Sequence, residues 1–283
     1  MDQPIRNVSD TALWVAVYRA DESERVDAVF QDPYARKLAG ERGQLIVNAM
    51  QEGRKNSWSF VARTFLFDEF IMRHVKEGFD MIINLASGLD TRPYRLNLPP
   101  SLIWIDIDMP EIIDYVKMMM AEEKPNCIFE RISLDLSQRE KRLELFQQLA
   151  QRGKKILIVS EGLVGYLDDS DVGTLAYDLA HQKSFTHWVL DIMSPAILPL
   201  IQLETGKMLD EANSPLKFAP KEGEDFFLLF GWKVLESRSK LKSAASLKRL
   251  NTEMTKYALL PEAAGPKRSF PWSGVCLFEN VVK

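Results

Sequence analysis

Residues 81–92 are Met81-Ile-Ile-Asn-Leu-Ala-Ser-Gly-Leu-Asp-Thr-Arg92, a short apolar run that breaks into small residues at Ala86 and Gly88. Runs of this length that end in turn residues are typical of buried strands. Small residues directly after a strand let the backbone approach a bound ligand closely. A glycine in this position is more often just a turn. The segment therefore predicts a strand followed by a turn. The rest of the sequence must decide whether that turn binds a ligand or only reverses the chain.

Short apolar runs alternate with longer amphipathic ones along the rest of the chain, which predicts an α/β fold with parallel strands and right-handed crossovers. Ser137-Gln-Arg-Glu140 has the spacing of a capping box and predicts the start of a helix that ends near Gly153. Another helix is predicted from Asp168–Asp171 to about His181. The predicted strands are residues 81–85, 102–107, 128–134, 156–160, 188–192, 232–236 and 275–281.

Two regions depart from the alternation. Residues 1–80 carry helical patterns at 10–20, 33–39 and 56–77, and they predict an N-terminal helical cap. Residues 194–225 contain four prolines and mixed polarity, and they predict a lid inserted over the strand ends. No flexible linker separates these parts. We expect a single domain in which 81–193 form the ligand-binding half and 226–283 the C-terminal strands.

Composition excludes several classes of function. The chain has 283 residues, 46% of them hydrophobic, and a formal net charge of −4, so it lacks the positive field that nucleic-acid binding requires. Cys127 and Cys276 form no CxxC pair, and no ligand spacing for a metal is visible. The sequence shows neither a signal-peptide pattern at its start nor a long apolar run. We expect a cytoplasmic protein without a membrane partner.

Acidic residues end or follow three of the predicted strands. Asp106 and Asp108 end the second strand, and Asp108 lies twenty positions beyond Gly88, the spacing at which a carboxylate reaches ribose hydroxyls. Asp135 follows the third strand and Glu161 the fourth. Each could be an ordinary loop residue, but open α/β sheets bind ligands at this edge. Together they predict a nucleoside pocket.

The glycine turn distinguishes between two kinds of nucleotide. A pyrophosphate requires Gly-x-Gly-x-x-Gly at a helix N-terminus. This turn has one glycine, Gly88, and carries Asp90, which would repel a pyrophosphate. S-adenosylmethionine has no phosphate and carries a sulfonium cation that tolerates nearby carboxylates. S-adenosylmethionine is therefore the predicted cofactor, and NAD is the alternative.

Several ordered motifs resemble the leucine carboxyl methyltransferase family over most of the chain, including its bacterial branch of small-molecule O-methyltransferases. Such a resemblance is more specific than any one motif. The motifs are Asp32-Pro-Tyr34, Ala62-Arg-Thr64 with Asp68, the turn of residues 84–92, Asp106-Ile-Asp-Met-Pro110, Asp135-Leu136, Glu161-Gly-Leu-Val-Gly-Tyr-Leu167, Ser214-Pro-Leu216 and Phe230-Gly-Trp232.

The resemblance implies a Rossmann-like class I methyltransferase sheet of seven strands, the last antiparallel, with an N-terminal helical extension and a lid. It also implies donor contacts at the matching positions. Arg63 would bind the methionine carboxylate of the donor, with Arg19 as a weaker second candidate whose alternative is a solvated helix end. Glu161 would lie near the amino group, and the backbone at Gly88 would lie near the methionine part.

The adenosine contacts implied by the resemblance lie on the second and third strands. Asp108 would bind the ribose hydroxyls, and Asp135 with Leu136 would contact the adenine. The family commonly has glycine where this chain has Ala86, and alanine adopts positive φ only at a cost. Either the turn needs no positive φ at Ala86, which we expect, or donor binding is weaker.

No catalytic base is predicted. His74, His181 and His187 lie in no catalytic pattern and are expected to be structural. Tyr166 is a candidate acceptor contact, although an aromatic residue in an apolar turn is core by default. The basic run from Lys240 to Arg249 is expected to be a solvated helix face rather than a site for an acidic acceptor.

The sequence leaves three functions open. The first is an O-methyltransferase that acts on a carboxyl or hydroxyl group of a small molecule. The second is a protein carboxyl methyltransferase, which the short proline-rich lid disfavours because it offers no obvious docking surface. The third is a non-catalytic nucleoside-binding module on the same fold, which would be expected to lack donor-site residues. The acceptor and the oligomeric state are not predicted.

Overall fold

The computed structural model describes residues 8–49, 53–206, 209–210, 214–261 and 270–282. Within these ranges the chain forms a seven-stranded sheet in the order β3-β2-β1-β4-β5-β7-β6. The strands are β1 Met81–Leu85, β2 Ile103–Asp108, β3 Ile128–Ser133, β4 Ile156–Ser160, β5 Phe185–Met193, β6 Trp232–Ser239 and β7 Ser273–Asn280.

Strand directions confirm the predicted class I methyltransferase sheet. Strands β1 to β5 pair in parallel, and β7 pairs antiparallel with both β5 and β6. All seven predicted strands are present, and β5, β6 and β7 begin or end a few residues from the predicted bounds. The carboxyl ends of β2, β1, β4 and β5 therefore lie in that order along one edge of the sheet.

Strand β3 corrects one expectation of burial. The sequence predicts a buried strand at 128–134, but β3 has exposed and half-buried positions only, and Ile128 is 55% exposed. The reason is topological, because β3 lies at the edge of the sheet and, among the described residues, has β2 as its sole strand neighbour. The apolar content of the run predicted a strand correctly, although not its position in the sheet.

Helices cover both faces of the sheet and its carboxyl edge. Among the described residues, no helix is both long and apolar enough to cross a membrane. The helices are α1 Val8–Ser23, α2 Ala35–Ala49, α3 Ser57–Lys76, α4 Arg92–Arg95, α5 Pro110–Met119, α6 Arg139–Ala150, α7 Asp169–Ala180, α8 Leu198–Ile201, α9 Lys240–Ser246 and α10 Thr252–Ala258.

The core divides into three clusters. On one face α3 packs Phe67 and Phe70 against strand residues such as Trp104, and on the other α6 and α7 pack against β1, β4 and β5. A third cluster joins α1, α2 and α5 to Leu89 and Tyr94 just after β1. Burial of each large apolar side chain contributes about 1.5 to 3 kcal/mol, so both faces and the cap are firmly attached.

The predicted helices are largely confirmed, with one wrong detail. Helices α1 and α3 coincide with two of the N-terminal patterns, and α7 follows Asp168 as expected. Helix α2 begins within the third pattern but continues past its predicted end at residue 39 to Ala49, with non-helical backbone angles at Gly40. The predicted capping box does not form, because α6 begins after Gln138 and has no side-chain cap. Instead the Ser137 backbone N–H donates to Asp135 Oδ1 over 2.9 Å, which makes a turn before the helix.

The predicted lid is irregular where the structure describes it. It contains the short helix α8 and an extended stretch from Ser214, whose neighbours Lys217 and Phe218 donate backbone N–H groups to the Gly165 carbonyl. That contact fixes the segment beside the turn after β4. Residues 207–208 and 211–213 of the lid lie outside the described residues.

The expectation for Ala86 is wrong, because its φ is +52°. Gly88 two residues later has φ +55°, so the chain turns sharply twice between β1 and α4. A left-handed conformation costs an L-residue about 1 to 2 kcal/mol because Cβ approaches the carbonyl oxygen. The turn therefore carries strain at Ala86, which the surrounding contacts must offset.

Replacement of Ala86 by glycine should relieve this strain. We expect Ala86→Gly to raise the free energy of unfolding by about 0.5 to 1 kcal/mol, since glycine removes the Cβ clash but adds backbone entropy to the unfolded chain. Urea denaturation measures the change. The matched control is Ala245→Gly in α9, which should lower stability by a similar amount. A less stable Ala86→Gly protein would show that Ala86 is unstrained.

Two of the three histidines form a pair near the amino edge of the sheet. His74 is buried and donates from Nδ1 to the Phe70 carbonyl oxygen over 2.6 Å. Its ring centroid lies 5.4 Å from that of His187, and Phe79 packs edge-on against both rings. Burial lowers the pKa of His74, and burial together with the nearby His74 lowers the pKa of His187 to about 4.

The histidine pair should make the fold sensitive to acid. Unfolded histidines bind protons below about pH 6.5, whereas the native pair stays neutral to lower pH, so stability is lost as pH falls from about 6.5 toward about 4. Each histidine contributes at most about 1.4 kcal/mol per pH unit. Denaturation of His187→Gln at several pH values should show a flatter slope, and His181→Gln, at an exposed position, should not. Equal slopes in all proteins would contradict the assignment.

Candidate active site

The turn after β1 is bound directly to the end of β2. The Gly88 backbone N–H donates to Asp108 Oδ2 over 2.6 Å, and the Met109 N–H donates to Asp108 Oδ1 over 2.7 Å. Burial raises the pKa of Asp108, and the two N–H donors oppose that rise. Each carboxylate oxygen keeps a second lone pair, so Asp108 retains acceptors for a ligand hydroxyl. The twenty-residue spacing seen in the sequence thus corresponds to a direct contact.

Helix α1 lies over this turn. A Cβ built on Gly88 would be 3.3 Å from Ala12 Cβ, so glycine permits the close approach of the helix. The sequence predicts Arg19 either as a second contact to the donor carboxylate or as a solvated residue. Arg19 lies within α1 and is 9% exposed. It donates to Asp32 Oδ2 over 2.8 Å and to the Leu89 carbonyl oxygen over 2.5 Å. The solvated alternative is therefore wrong.

Arg63 from α3 reaches the end of β4. Its Nε donates to Glu161 Oε1 over 3.0 Å, and its Nη1 lies 3.5 Å from Asp191 Oδ2 at the end of β5. Burial opposes the charge of Arg63, but Asp191 and Glu161 more than offset this and raise its pKa. The sequence predicts Arg63 and Glu161 as donor contacts, and the structure places them side by side.

Gly162 makes room for this guanidinium. Its φ is +71°, and a Cβ built there would lie 3.1 Å from Arg63 Nη1. Its backbone N–H donates to Asp191 Oδ1 over 2.7 Å. The glycine in Glu161-Gly162 is therefore needed for both conformation and space, and any larger residue would displace Arg63.

Arg92 binds the other oxygen of Glu161. Its Nη2 donates to Glu161 Oε2 over 2.7 Å, its Nη1 to Asp90 Oδ2 over 2.7 Å and its Nε to Asp68 Oδ1 over 2.6 Å. Burial alone would raise the pKa of Glu161, yet Arg92 and Arg63 outweigh it and lower the pKa to about 2. Glu161 is thus a carboxylate at any physiological pH, as a contact to an amino group requires.

The two carboxylates of β2 differ in environment. Asp106 is buried beneath the turn, where Trp104 Nε1 donates to its Oδ1 over 2.8 Å and Asn84 Nδ2 over 3.2 Å. Burial and the nearby charge of Asp90 raise the pKa of Asp106 to about 7. Asp106 therefore supports the turn from below, whereas Asp108 borders the ligand edge.

Asp135 and Leu136 lie at the end of β3, beside β2. The Asp135 carboxylate is half-buried, and hydrogen bonding from the Ser137 side chain lowers its pKa. The Leu136 carbonyl oxygen accepts from Arg142 Nη1 over 2.6 Å. Both residues thus lie on the Asp108 side of the edge, far along the sheet from Arg63, and their adenine contact stays a prediction.

Tyr166 lies beyond Glu161, in a short 3₁₀ turn of residues Val164–Tyr166. Burial raises the pKa of its phenol, which is hydrogen-bonded with Thr11 of α1, and the charges of Arg63 and Asp191 act on it. Tyr166 is therefore on the Arg63 side of the edge. Its predicted role as an acceptor contact stays untested.

Sequence reasoning missed Arg92, Asp191 and Lys240. Arg92 is in the quoted turn, but its charge alone gave no role. Asp191 is a lone carboxylate within the apolar run of β5, and such a residue usually indicates a buried cation partner. Lys240 belongs to the run predicted to be solvated, yet it is 8% exposed, and Arg249 of the same run is bound by Glu22. The solvated reading is wrong for both.

The assembled groups fit a zwitterionic nucleoside. Asp108 offers acceptors for hydroxyls, Glu161 offers a carboxylate for an ammonium, and Arg63 offers a guanidinium for a carboxylate. Asp90, buried beside Arg92, leaves the turn without a free positive group for a pyrophosphate. Within the described part of the chain, no group of three or more His, Cys, Asp or Glu side chains is arranged to hold a metal ion.

Proteins of similar sequence are described as methyltransferases. A family model described as leucine carboxyl methyltransferase matches residues 12–180. A Mycobacterium tuberculosis protein named a "putative S-adenosyl-L-methionine-dependent methyltransferase" is 31% identical over 144 residues, 46% of this chain and 48% of that protein. In that match the chain spans about half the length of the curated relative. A Frankia alni protein of the same description is 28% identical over 265 residues, 84% of this chain and 88% of that protein.

Two solved structures share the fold. A "putative methyltransferase" from Thermobifida fusca superposes with a TM-score of 0.61 at 13% identity, covering 99% of this chain and 97% of that one. A DUF574 family protein from Streptomyces avermitilis gives 0.58 at 11% identity, covering 94% and 96%. The family model spans more than half of the sequence, so the chain belongs to the leucine carboxyl methyltransferase family.

Proposed function

We propose that the protein transfers the methyl group of S-adenosylmethionine to a carboxyl or hydroxyl oxygen of a small molecule. The observation that carries the proposal is the pairing of Arg63 with Glu161 beside the Gly88–Asp108 contact. One edge of the sheet thus presents a guanidinium and a carboxylate for an amino acid, and a second carboxylate for a ribose. S-adenosylmethionine combines these two parts.

The roles follow from the order of the strands. Asp108 on β2 takes the ribose hydroxyls, with Asp135 and Leu136 beyond it for the adenine. Arg63 and Glu161 take the carboxylate and the amino group of the methionine part, next to β4. Because adenosine lies over β2 and β3, the acceptor lies toward β5, where Tyr166 and Asp191 are placed. Arg19 supports the turn through the Leu89 carbonyl oxygen, and its role as a second contact to the donor carboxylate stays a prediction.

The protein contributes alignment more than proton transfer. S-adenosylmethionine supplies an electrophilic methyl group on a sulfonium sulfur, and displacement requires the acceptor oxygen, the methyl and the sulfur in line. The ion pairs around Arg63 fix the methionine part, and α1 excludes water from above. All three histidines lie away from this edge: His74 and His187 pair near the opposite edge, and His181 caps α7. A carboxylate acceptor, which needs no base, fits this arrangement well.

A protein carboxyl acceptor is the second candidate, because the family description names a leucine carboxyl group. The small molecule is preferred, since the described part of the lid is short and rich in proline. A cytoplasmic location completes the proposal, because neither Cys127 nor Cys276 forms a disulfide, as expected in a reducing compartment.

Calorimetric titration tests the donor assignment. Wild-type protein should bind S-adenosylmethionine and S-adenosylhomocysteine, and Asp108→Asn or Arg63→Gln should weaken binding by about 1 to 3 kcal/mol, the loss of one charge-assisted contact. Arg73→Gln is the matched control, because Arg73 lies on the same helix with a side chain 42% exposed. Its affinity should equal that of wild type. Binding of NAD and of neither sulfur ligand would refute the proposal.

An acceptor screen with methyl-labelled donor tests the substrate class. Small carboxylic acids, phenols, alcohols and peptides with a free carboxyl terminus are compared, and the products are treated with mild base. We expect label on a small molecule, released by base if the acceptor is a carboxylate and retained if it is a hydroxyl. Label that appears only on peptides or proteins would support the second candidate instead.

A further inference from the structure

Lys240 is a buried cation at the ligand edge of the sheet. It follows β6 directly, and β6 is antiparallel to β7, so its carboxyl end lies at the same edge as that of β5. The side chain reaches past β7, and its Nζ lies 3.5 Å from Asp191 Oδ2. The Lys240 side chain is 10% exposed. A lysine so placed loses most of its hydration and needs a compensating partner.

Asp191 is shared between two cations. Its Oδ2 lies 3.5 Å from Lys240 Nζ and 3.5 Å from Arg63 Nη1, and its Oδ1 accepts the Gly162 N–H. The contact to Gly162 fixes this carboxylate in the turn after β4. It therefore cannot follow either cation if that cation moves toward a ligand.

The second cation matters when Arg63 binds an anion. Without Lys240, Arg63 would be the only described cation within ion-pair distance of Asp191. A ligand carboxylate that drew Arg63 away would then leave Asp191 buried without compensation, a state that costs several kcal/mol. With Lys240 present, Asp191 stays neutralised, and the Nη groups of Arg63 are available.

We propose that Lys240 is a positioning residue for the methyl donor: it neutralises Asp191 and so allows Arg63 to bind the donor carboxylate. The inference rests on the proposed function, in particular on the role of Arg63. Burial lowers the pKa of Lys240, as expected for a cation kept in place at some cost. A residue needed only to fill this space would be better apolar, since replacing a buried ion pair by apolar residues is often neutral or stabilising.

The test compares two ligands that differ in the amino acid alone. S-adenosylhomocysteine has the carboxylate, and 5′-methylthioadenosine lacks the whole amino-acid part. In Lys240→Met we expect affinity for S-adenosylhomocysteine to fall about tenfold, the size of one charge-assisted contact, and affinity for methylthioadenosine to stay unchanged. Calorimetry gives both constants, and thermal unfolding verifies that each variant is folded.

Three further variants complete the experiment. Lys240→Arg keeps the charge and should bind both ligands like wild type. Lys240→Met combined with Asp191→Asn removes both charges and should recover affinity for S-adenosylhomocysteine. Lys242→Met removes an exposed lysine from the same helix and should change nothing.

Each result has a distinct meaning. A selective loss in Lys240→Met, rescued by arginine, supports the inference. Equal weakening of the binding of both ligands would show that Lys240 has a merely structural role. Unchanged binding of both ligands would show that Asp191 needs no second cation. Either result overturns the inference. If wild-type protein binds neither ligand, the proposed function itself fails, which is a different outcome.

Discussion

The guanidinium of Arg92 joins three carboxylates from three separate elements, and the ligand edge depends on it. Asp68 comes from α3, Asp90 from the turn after β1, and Glu161 from the end of β4. Arg92 is 3% exposed, so loss of any partner would leave a charge buried without compensation. The geometry is also demanding, because a planar fork must meet all three at once. Helix α3, and with it Arg63, is thereby held against the sheet.

Alternating charges extend from Arg92 in both directions along the edge. The cations are Arg19, Arg95, Arg92, Arg63 and Lys240, and the anions are Asp32, Asp68, Asp90, Glu161 and Asp191. Because this network is balanced, an incoming amino-acid group must exchange with existing ion pairs. Donor affinity then depends on the free-energy cost of rearranging those ion pairs, and not on a simple excess of one charge.

The parts of the molecule with local signals were predictable from the sequence. Strand β1 and its turn showed as an apolar run followed by small residues, and the spacing from Gly88 to Asp108 corresponds to a 2.6 Å contact. Local signals also have a clear limit. The predicted burial of β3 was wrong because the position of a strand at the edge depends on the order of strands. The predicted φ of Ala86 was wrong because the φ of a turn residue depends on the path that the following elements require of the chain.

The pairings within the site were not predictable, because they join residues far apart in sequence. Glu161 lies 98 positions from Arg63 and 69 from Arg92, and no periodicity relates them. Lys240 is the hardest case, since its neighbours in sequence are those of a solvated helix. What decides its environment is that β6 ends at the same edge of the sheet as β5, with β7 between them, and that Asp191 of β5 already occupies the apolar interior there. A lone carboxylate in a buried strand predicts a cationic partner, but only the tertiary fold determines which residue that partner is.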